Sequence, residues 1–228
     1  MNQNIHQPNR TSTRASITVV HTGDFGSAFA EQLAGRISGV ATVDAENGTH
    51  PAHWPDSEML VLATSGDRDA LVQMTDDAAF AWRRPWVHVQ LETTAVRCGP
   101  AVIPGRTACH ECYRRRRQQH SRGTDRPVVR EVEGWGAHHL EIALGMSVHA
   151  IAELRSGLPP TAIGATVRTF DLVEGNTEQN PVVAVNRCTR CRAPRTDYDR
   201  VDLFRSINLT ASTTTVSTVS KEASHGTL

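Results

Sequence analysis

Four of the five cysteines in these 228 residues fall into two pairs, Cys109-His-Glu-Cys112 and Cys188-Thr-Arg-Cys191. A C-x-x-C turn brings two sulfurs onto one ion, and two such turns supply the four thiolates, each about 2.3 Å from the metal, of a closed tetrahedral zinc site. A closed site holds structure and leaves no open position for chemistry. Disulfides and redox dithiols are the competing uses of the same pairs. Disulfides need an oxidising compartment, and no apolar stretch of the kind an export signal carries follows the polar start Met1 to Ser16. Redox pairs normally follow a strand and open a helix, and two pairs together favour a metal. His110 lies inside the first pair and is not expected to replace a cysteine as ligand.

The fifth cysteine, Cys98 in Arg97-Cys98-Gly99-Pro100, has two readings. Arg97 would favour a nucleophilic thiolate, while a lone cysteine beside a strand is more often a small buried apolar group. Among the 11 histidines, His138 and His139 read as pointing to different sides of a helix, with Glu141 and His149 further along. No i, i+4 ligand pair forms there, so a second metal site is not expected. No G-x-S-x-G and no paired-carboxylate signature occurs.

Composition narrows the chemistry further. The 24 basic residues balance 24 acidic ones, so no overall field recruits nucleic acid or a membrane. Every basic residue except Lys221 is an arginine. Schiff-base and lysine-clamp chemistry is therefore excluded from the folded part, although an arginine fork could clamp phosphate. Arg114 to Arg117, with Arg122, Arg126 and Arg130, make one local basic run. It reads as a solvated helix or loop, with a phosphate or acidic-peptide site as the alternative. No stretch approaches the roughly 18 apolar residues of a membrane span, and the chain reads as a soluble cytoplasmic protein.

These groups need elements to position them. Ser16 to Val20 reads as a buried strand, and Ala28 to Ile37 as a helix with Phe29, Leu33 and Ile37 on one face. Ala41–Asp44, Met59–Ala63 and Trp86–Leu91 are further strands, with a helix over Asp67–Trp82 between the last two. Strands alternating with helices imply a parallel sheet. Thr94 to Ile103 reads as strand and turn leading into the first cysteine pair, and the arginine-rich stretch beyond is either helical or mobile. Ala137 to Arg155 is a well-marked helix with Leu140, Leu144, Val148, Ile151 and Leu154 on one face, ended by Gly157, Pro159 and Pro160. Val167–Val173 alternates, 174–177 turns, and Val182–Val185 returns as a hairpin into the second pair.

Between the first strand and helix runs His21-Thr22-Gly23-Asp24-Phe25-Gly26. A dinucleotide or ATP fold places G-x-G-x-x-G there, so that helix N-terminal amides face phosphate. Gly23 and Gly26 match its last two glycines, His21 replaces the first, and Asp24 adds negative charge. Asp44 stands where a ribose-binding acid belongs. The alternative is that the glycines simply make the strand-to-helix turn.

The β-loop-α start, the segment IPGRTACHEC and the ending VVAVNRCTRC together resemble the ubiquitin-activating-enzyme-like family of ThiF and MoeB proteins. Within it they are similar to the divergent branch that accompanies YcaO-type cyclodehydratases in bacterial peptide natural-product biosynthesis. The resemblance covers about residues 16 to 195. It implies an α/β fold, a Rossmann-like mostly parallel sheet with a zinc-stapled C-terminal helix and β-hairpin. The domain is expected over 16–208, with disordered ends at 1–15 and 209–228.

Active members of the family adenylate a C-terminal glycine with a glycine loop, a ribose acid, an arginine and a lysine on the phosphates, and an aspartate that orients magnesium. Ser65 stands at that aspartate's place, and Asp67 or Asp69 could serve only with a changed turn. The resemblance thus implies a non-adenylating partner that binds a precursor peptide, a YcaO cyclodehydratase or both, as a homodimer or in a larger complex. About 15 polar residues precede the first strand where related proteins carry a winged-helix leader-binding domain, so that domain is expected on another chain. The alternatives are an adenylyltransferase using Asp44 and an arginine, and a zinc-containing nucleic-acid binder using Arg114 to Arg117.

Overall fold

A computed structural model describes residues 15–120, 132–156 and 165–191. The expected disordered ends, Arg122, Arg126 and Arg130, and the Gly157 to Pro160 helix stop lie outside the described residues, except that Ala15 already belongs to the first strand. In chain order the elements are β1 (Ala15–His21), α1 (Gly23–Arg36), β2 (Val40–Asp44), a 3-10 turn (Pro51–His53), β3 (Ser57–Ser65) and α2 (Asp69–Trp82). There follow β4 (Trp86–Leu91), β5 (Ala95–Cys98), α3 (His110–His120), α4 (Ala137–Ser156), β6 (Ala165–Asp171) and β7 (Thr177–Val182). One seven-stranded sheet runs β2-β1-β3-β4-β5-β6-β7. Its first four strands are parallel and its last three pair antiparallel. This is the expected α/β fold.

The apolar run of β3 is continuous because both faces of the strand are covered. Met59, Val61 and Ala63 point into one core with Ile17, Val19, Phe29 and Leu144, beneath α1 and α4. Leu60 and Leu62 point the other way, toward Trp54, Val72, Ala79 and Trp86 beneath α2. A period of two thus divides one sequence between two cores.

Three elements differ from their sequence reading. Helix α1 starts at Gly23, so the segment read as a loop is its first turn, with Phe25 buried and Asp24 exposed at the favourable N-terminal end. On α4 the buried stripe is Ala143, Leu144, Ser147, Ala150, Ile151 and Leu154, and Val148 faces outward. Ser147 can occupy an apolar face because its hydroxyl donates to the Ala143 carbonyl at 2.6 Å.

In the hairpin, the returning strand is the polar Thr177–Val182 rather than Val182–Val185. Asp171 accepts the amides of Val173 and Glu174, which tightens the turn, and the Val185 amide leaves the sheet for a sulfur of the cysteine cluster. Helix α4 is tied to β6 by Glu153, which accepts from Thr166 at 2.8 Å and pairs with the buried Arg168 at 2.6 Å.

Candidate metal centre and the glycine turn

The two cysteine pairs meet. Sulfur separations are 3.7 Å for Cys109 to Cys112, 3.7 Å for Cys109 to Cys188 and 3.5 Å for Cys112 to Cys191. All four sulfurs lie within 4.8 Å of one another. A tetrahedron with arms of about 2.3 Å has edges of about 3.8 Å, so the donor set fits a metal ion that prefers four thiolates. Cys109, Cys112 and Cys188 are buried among Ala108, Ala165, Val167 and Val182. The Val185 N–H donates to Cys112 Sγ at 3.2 Å, offsetting thiolate charge. The hydrogen bond from Cys109 holds the Cys191 thiol down to about 5, and the same bond together with burial pushes Cys109 up. Burial likewise pushes Cys112 up, so the lowering falls on Cys191.

The first pair opens α3, the arrangement that redox dithiols favour, but its sulfurs face the second pair instead of solvent. His110 points elsewhere: its ring packs 5.7 Å from both Trp86 and Tyr113, and burial lowers its pKa to about 4. The second pair is anchored through Arg190. Its guanidinium lies 3.3 Å from the buried Asp76 and 2.6 Å from Asp77, both on α2, and 4.7 Å above the Phe80 ring.

At the other end of the sheet, the glycine turn is occupied by the chain's own groups. Gly23 has φ 68°, and its N–H donates to Glu46 Oε2 at 2.8 Å. Arg68 stands 4.0 Å from the other oxygen of that carboxylate. Asp44, at the end of β2, accepts the Glu46 amide at 2.9 Å and so fixes the turn that carries Glu46. Gly26 serves packing, since a Cβ there would sit 2.7 Å from the Ala63 carbonyl oxygen. His21 is buried between these strands, and burial lowers its pKa.

Ser65, at the end of β3, accepts the Val132 N–H at 2.8 Å and donates to the Val132 carbonyl at 3.3 Å. Three residues further on, Trp135 packs edge-on against Phe25 at 5.7 Å. The segment leading into α4 therefore crosses the ends of β3 and α1, where ligands of open α/β sheets bind. Asp67 accepts from Gln90 at 3.3 Å, and Asp69 opens α2. Glu46 and Val132 were not singled out by the sequence. Only the position of Glu46, two residues beyond Asp44, hinted at it.

The remaining candidates separate. Cys98 is fully buried and its thiol is pushed up to about 12 by burial, which leaves the apolar reading. His138 and His139 do not diverge; their rings lie 3.9 Å apart because His139 Nδ1 accepts the Gly136 N–H at the helix start. His149 is exposed, and among the described residues the cysteines form the one cluster suited to a metal. No helix of the described residues is long and apolar enough to cross a membrane.

This fold defines a class, the α/β domain found in heterocyclase and microcin-synthetase structures. A heterocyclase in complex with substrate and cofactor matches with a TM-score of 0.54 and 15% identity over 83% of this chain and 27% of its own. The heterocyclase TruD matches with a TM-score of 0.52 and 16% identity, over 79% and 28%. A chain of the E. coli microcin synthetase McbBCD complex gives 0.57 and 15%, over 80% and 71%. The present chain spans about a quarter of the length of the two heterocyclases. At these identities the likeness is one of fold, and it agrees with the resemblance drawn from the sequence. No known family profile matches the chain, and no curated protein matches it in sequence.

Proposed function

We propose that this chain is a non-adenylating, ThiF-like partner protein in the biosynthesis of ribosomal peptide natural products, where it binds a precursor peptide, a YcaO-type cyclodehydratase or both and promotes azoline formation. The observation that carries this reading is the Gly23 amide bonded to Glu46. An anionic carboxylate from the chain itself stands where a nucleotide phosphate would need the helix N-terminus. Ser65, spent on the Val132 backbone, and the crossing at Trp135 support the same conclusion. The shared fold supplies the context, because proteins of this architecture include heterocyclases and a microcin synthetase complex. ATP consumption then belongs to the cyclodehydratase.

Zinc is the proposed ion for Cys109, Cys112, Cys188 and Cys191, in a structural role. The four residues join α3 to the end of the β6–β7 hairpin and leave no position for substrate. The test has two arms. The purified chain should support no ATP-pyrophosphate exchange, alone or with candidate peptides. Added to a YcaO-type cyclodehydratase and its precursor peptide, it should raise the rate at which the peptide loses one water per ring. Exchange that Asp44→Ala abolishes would restore adenylation. A cyclodehydratase that neither binds the chain nor responds to it would remove the partner role.

A further inference from the structure

One groove belongs neither to the cysteine cluster nor to the glycine turn. It lies between α3 and the last two strands, encloses about 750 Å³, and is lined by Tyr113, Arg116, Arg117, Val167, Val182 and Val183 among others. Helix α3 sorts its four consecutive arginines around it. Glu111 binds Arg114 at 2.8 and 2.9 Å and Arg115 at 2.7 Å on the outer side, where both are exposed. Arg116 and Arg117 are half-buried and line the groove. Arg116 donates to the Val183 carbonyl at 3.4 Å, and Arg117 lies 3.7 Å from Glu92. Arg97 also pairs with Glu92, and the guanidiniums of Arg97 and Arg117 stand 5.7 and 5.6 Å from the Tyr113 ring. Two guanidiniums, those of Arg97 and Arg117, thus gather about the Glu92 carboxylate, with Arg116 beside them on the groove wall.

The floor and rim are of another kind. Val167 and Val182 are buried beneath the groove, and Val183 is 44% exposed at its rim. β7 is the last strand of the sheet, and all its residues except Val182 are exposed. Its outer edge can pair with another strand only as far as Pro181, which has no N–H. Glu178 bonds Asn180 at 3.5 Å and is not part of the lining.

We propose that this groove binds an extended acidic peptide segment laid along β7, its carboxylates on Arg116 and Arg117 and an apolar side chain on Val167 and Val183. Charge complementarity selects the acid, the apolar floor selects a peptide over a bare polyanion, and the strand edge selects the extended form. The proposal rests on the partner-protein reading only for which peptide is bound in the cell.

The test is fluorescence anisotropy of the full-length, zinc-replete chain with a labelled peptide alternating glutamate and valine. Its lysine counterpart and a single-stranded oligonucleotide serve as comparison probes. The acidic peptide should bind, and Arg116→Glu and Val183→Arg should each weaken it about ten-fold or more without changing the melting temperature. Arg114→Glu, on the outer side, should leave the affinity within about two-fold. The lysine peptide should not bind. Silence of the acidic peptide, equal binding to Arg116→Glu or Arg116→Gln protein, or tighter binding of the oligonucleotide overturns the proposal. If the peptide fails while a cyclodehydratase still responds to the chain, the groove assignment falls alone. If the peptide binds while no cyclodehydratase responds, the partner reading falls alone.

Discussion

The Glu46 carboxylate accepts the backbone N–H of Gly23 at 2.8 Å, and Asp44, two residues earlier, holds the Glu46 amide at 2.9 Å. The acid at a ribose-binding position therefore shapes the turn that delivers a second acid to the helix N-terminus. One carboxylate organises the other, and the pair closes the end of α1 from within.

Glu46 should behave as a helix cap supplied from a distant turn. Glu46→Ala is expected to lower the free energy of unfolding by about 1 kcal/mol, and Glu46→Gln, which keeps an acceptor without the charge, by about half of that. Urea unfolding of the three proteins measures it. An alanine variant as stable as the parent would mean that the contact contributes nothing. Calorimetry with Mg-ATP should show no micromolar binding to the parent protein.

Cys109→Ser and Cys188→Ser should each release the bound metal and lower the melting temperature, because each removes one of four thiolates from a buried cluster. Cys98→Ala, outside the cluster, should retain full metal content. Elemental analysis and thermal melting of the three variants decide the matter; full metal retention by either serine variant would show that its sulfur is not a ligand.

Asp76 gives the protein a pH dependence of definite sign. Burial raises its pKa from 3.8 to about 6, against the lowering effects of Arg190 and the Trp86 N–H. The native state holds this proton more tightly than the unfolded chain, so the contribution to stability is full below about pH 4 and is lost as pH rises through 6. The loss is on the order of 2–3 kcal/mol. Asp76→Asn keeps an acceptor for Trp86 and should flatten this part of the profile. Parallel profiles for variant and parent in denaturant titrations from pH 4 to 7 would contradict the assignment.

Two glycines of the same helix should respond in opposite directions to alanine. At Gly26 the new methyl meets a backbone oxygen at 2.7 Å, and Gly26→Ala is expected to cost about 1–3 kcal/mol. At Gly35 nothing lies within 4 Å, and Gly35→Ala should stabilise by about 0.5–1 kcal/mol. Thermal melting distinguishes them, and a neutral Gly26→Ala would mean that helix and strand are free to separate.

The strands were legible wherever a buried run carried its own pattern: Trp86–Leu91 has the limits its apolar residues announce, and β3 extends beyond Met59–Ala63 by only two residues at either end. β7 was placed too late because Thr177 to Asn180 are polar on both faces of an edge strand, where no burial imprints a period. The stripe on α4 shifted because a serine that bonds its own helix can stand in for an apolar residue. The cysteine cluster was readable because ligand spacing is local within each pair. The Gly23–Glu46 contact was not, since |i−j| is 23 and nothing short-range links an acid after β2 to an amide before α1. The groove beside α3 was foreshadowed only as a basic run; which arginines face it depends on Glu111 engaging two of them.

The contacts of Cys109 with Cys188 and of Cys112 with Cys191 each span |i−j| of 79. During synthesis the first pair emerges with α3 long before its counterpart, which follows β7. The parallel half of the sheet can therefore assemble on the ribosome while the cluster still has two open positions. Closing so large a loop costs only slightly more entropy than closing a short one, because that cost grows with the logarithm of length. With the proposed ion, the last step of maturation is set by metal supply and by the emergence of Cys191, and a nascent chain truncated before Cys188 would leave two thiols at the start of α3 without their counterparts.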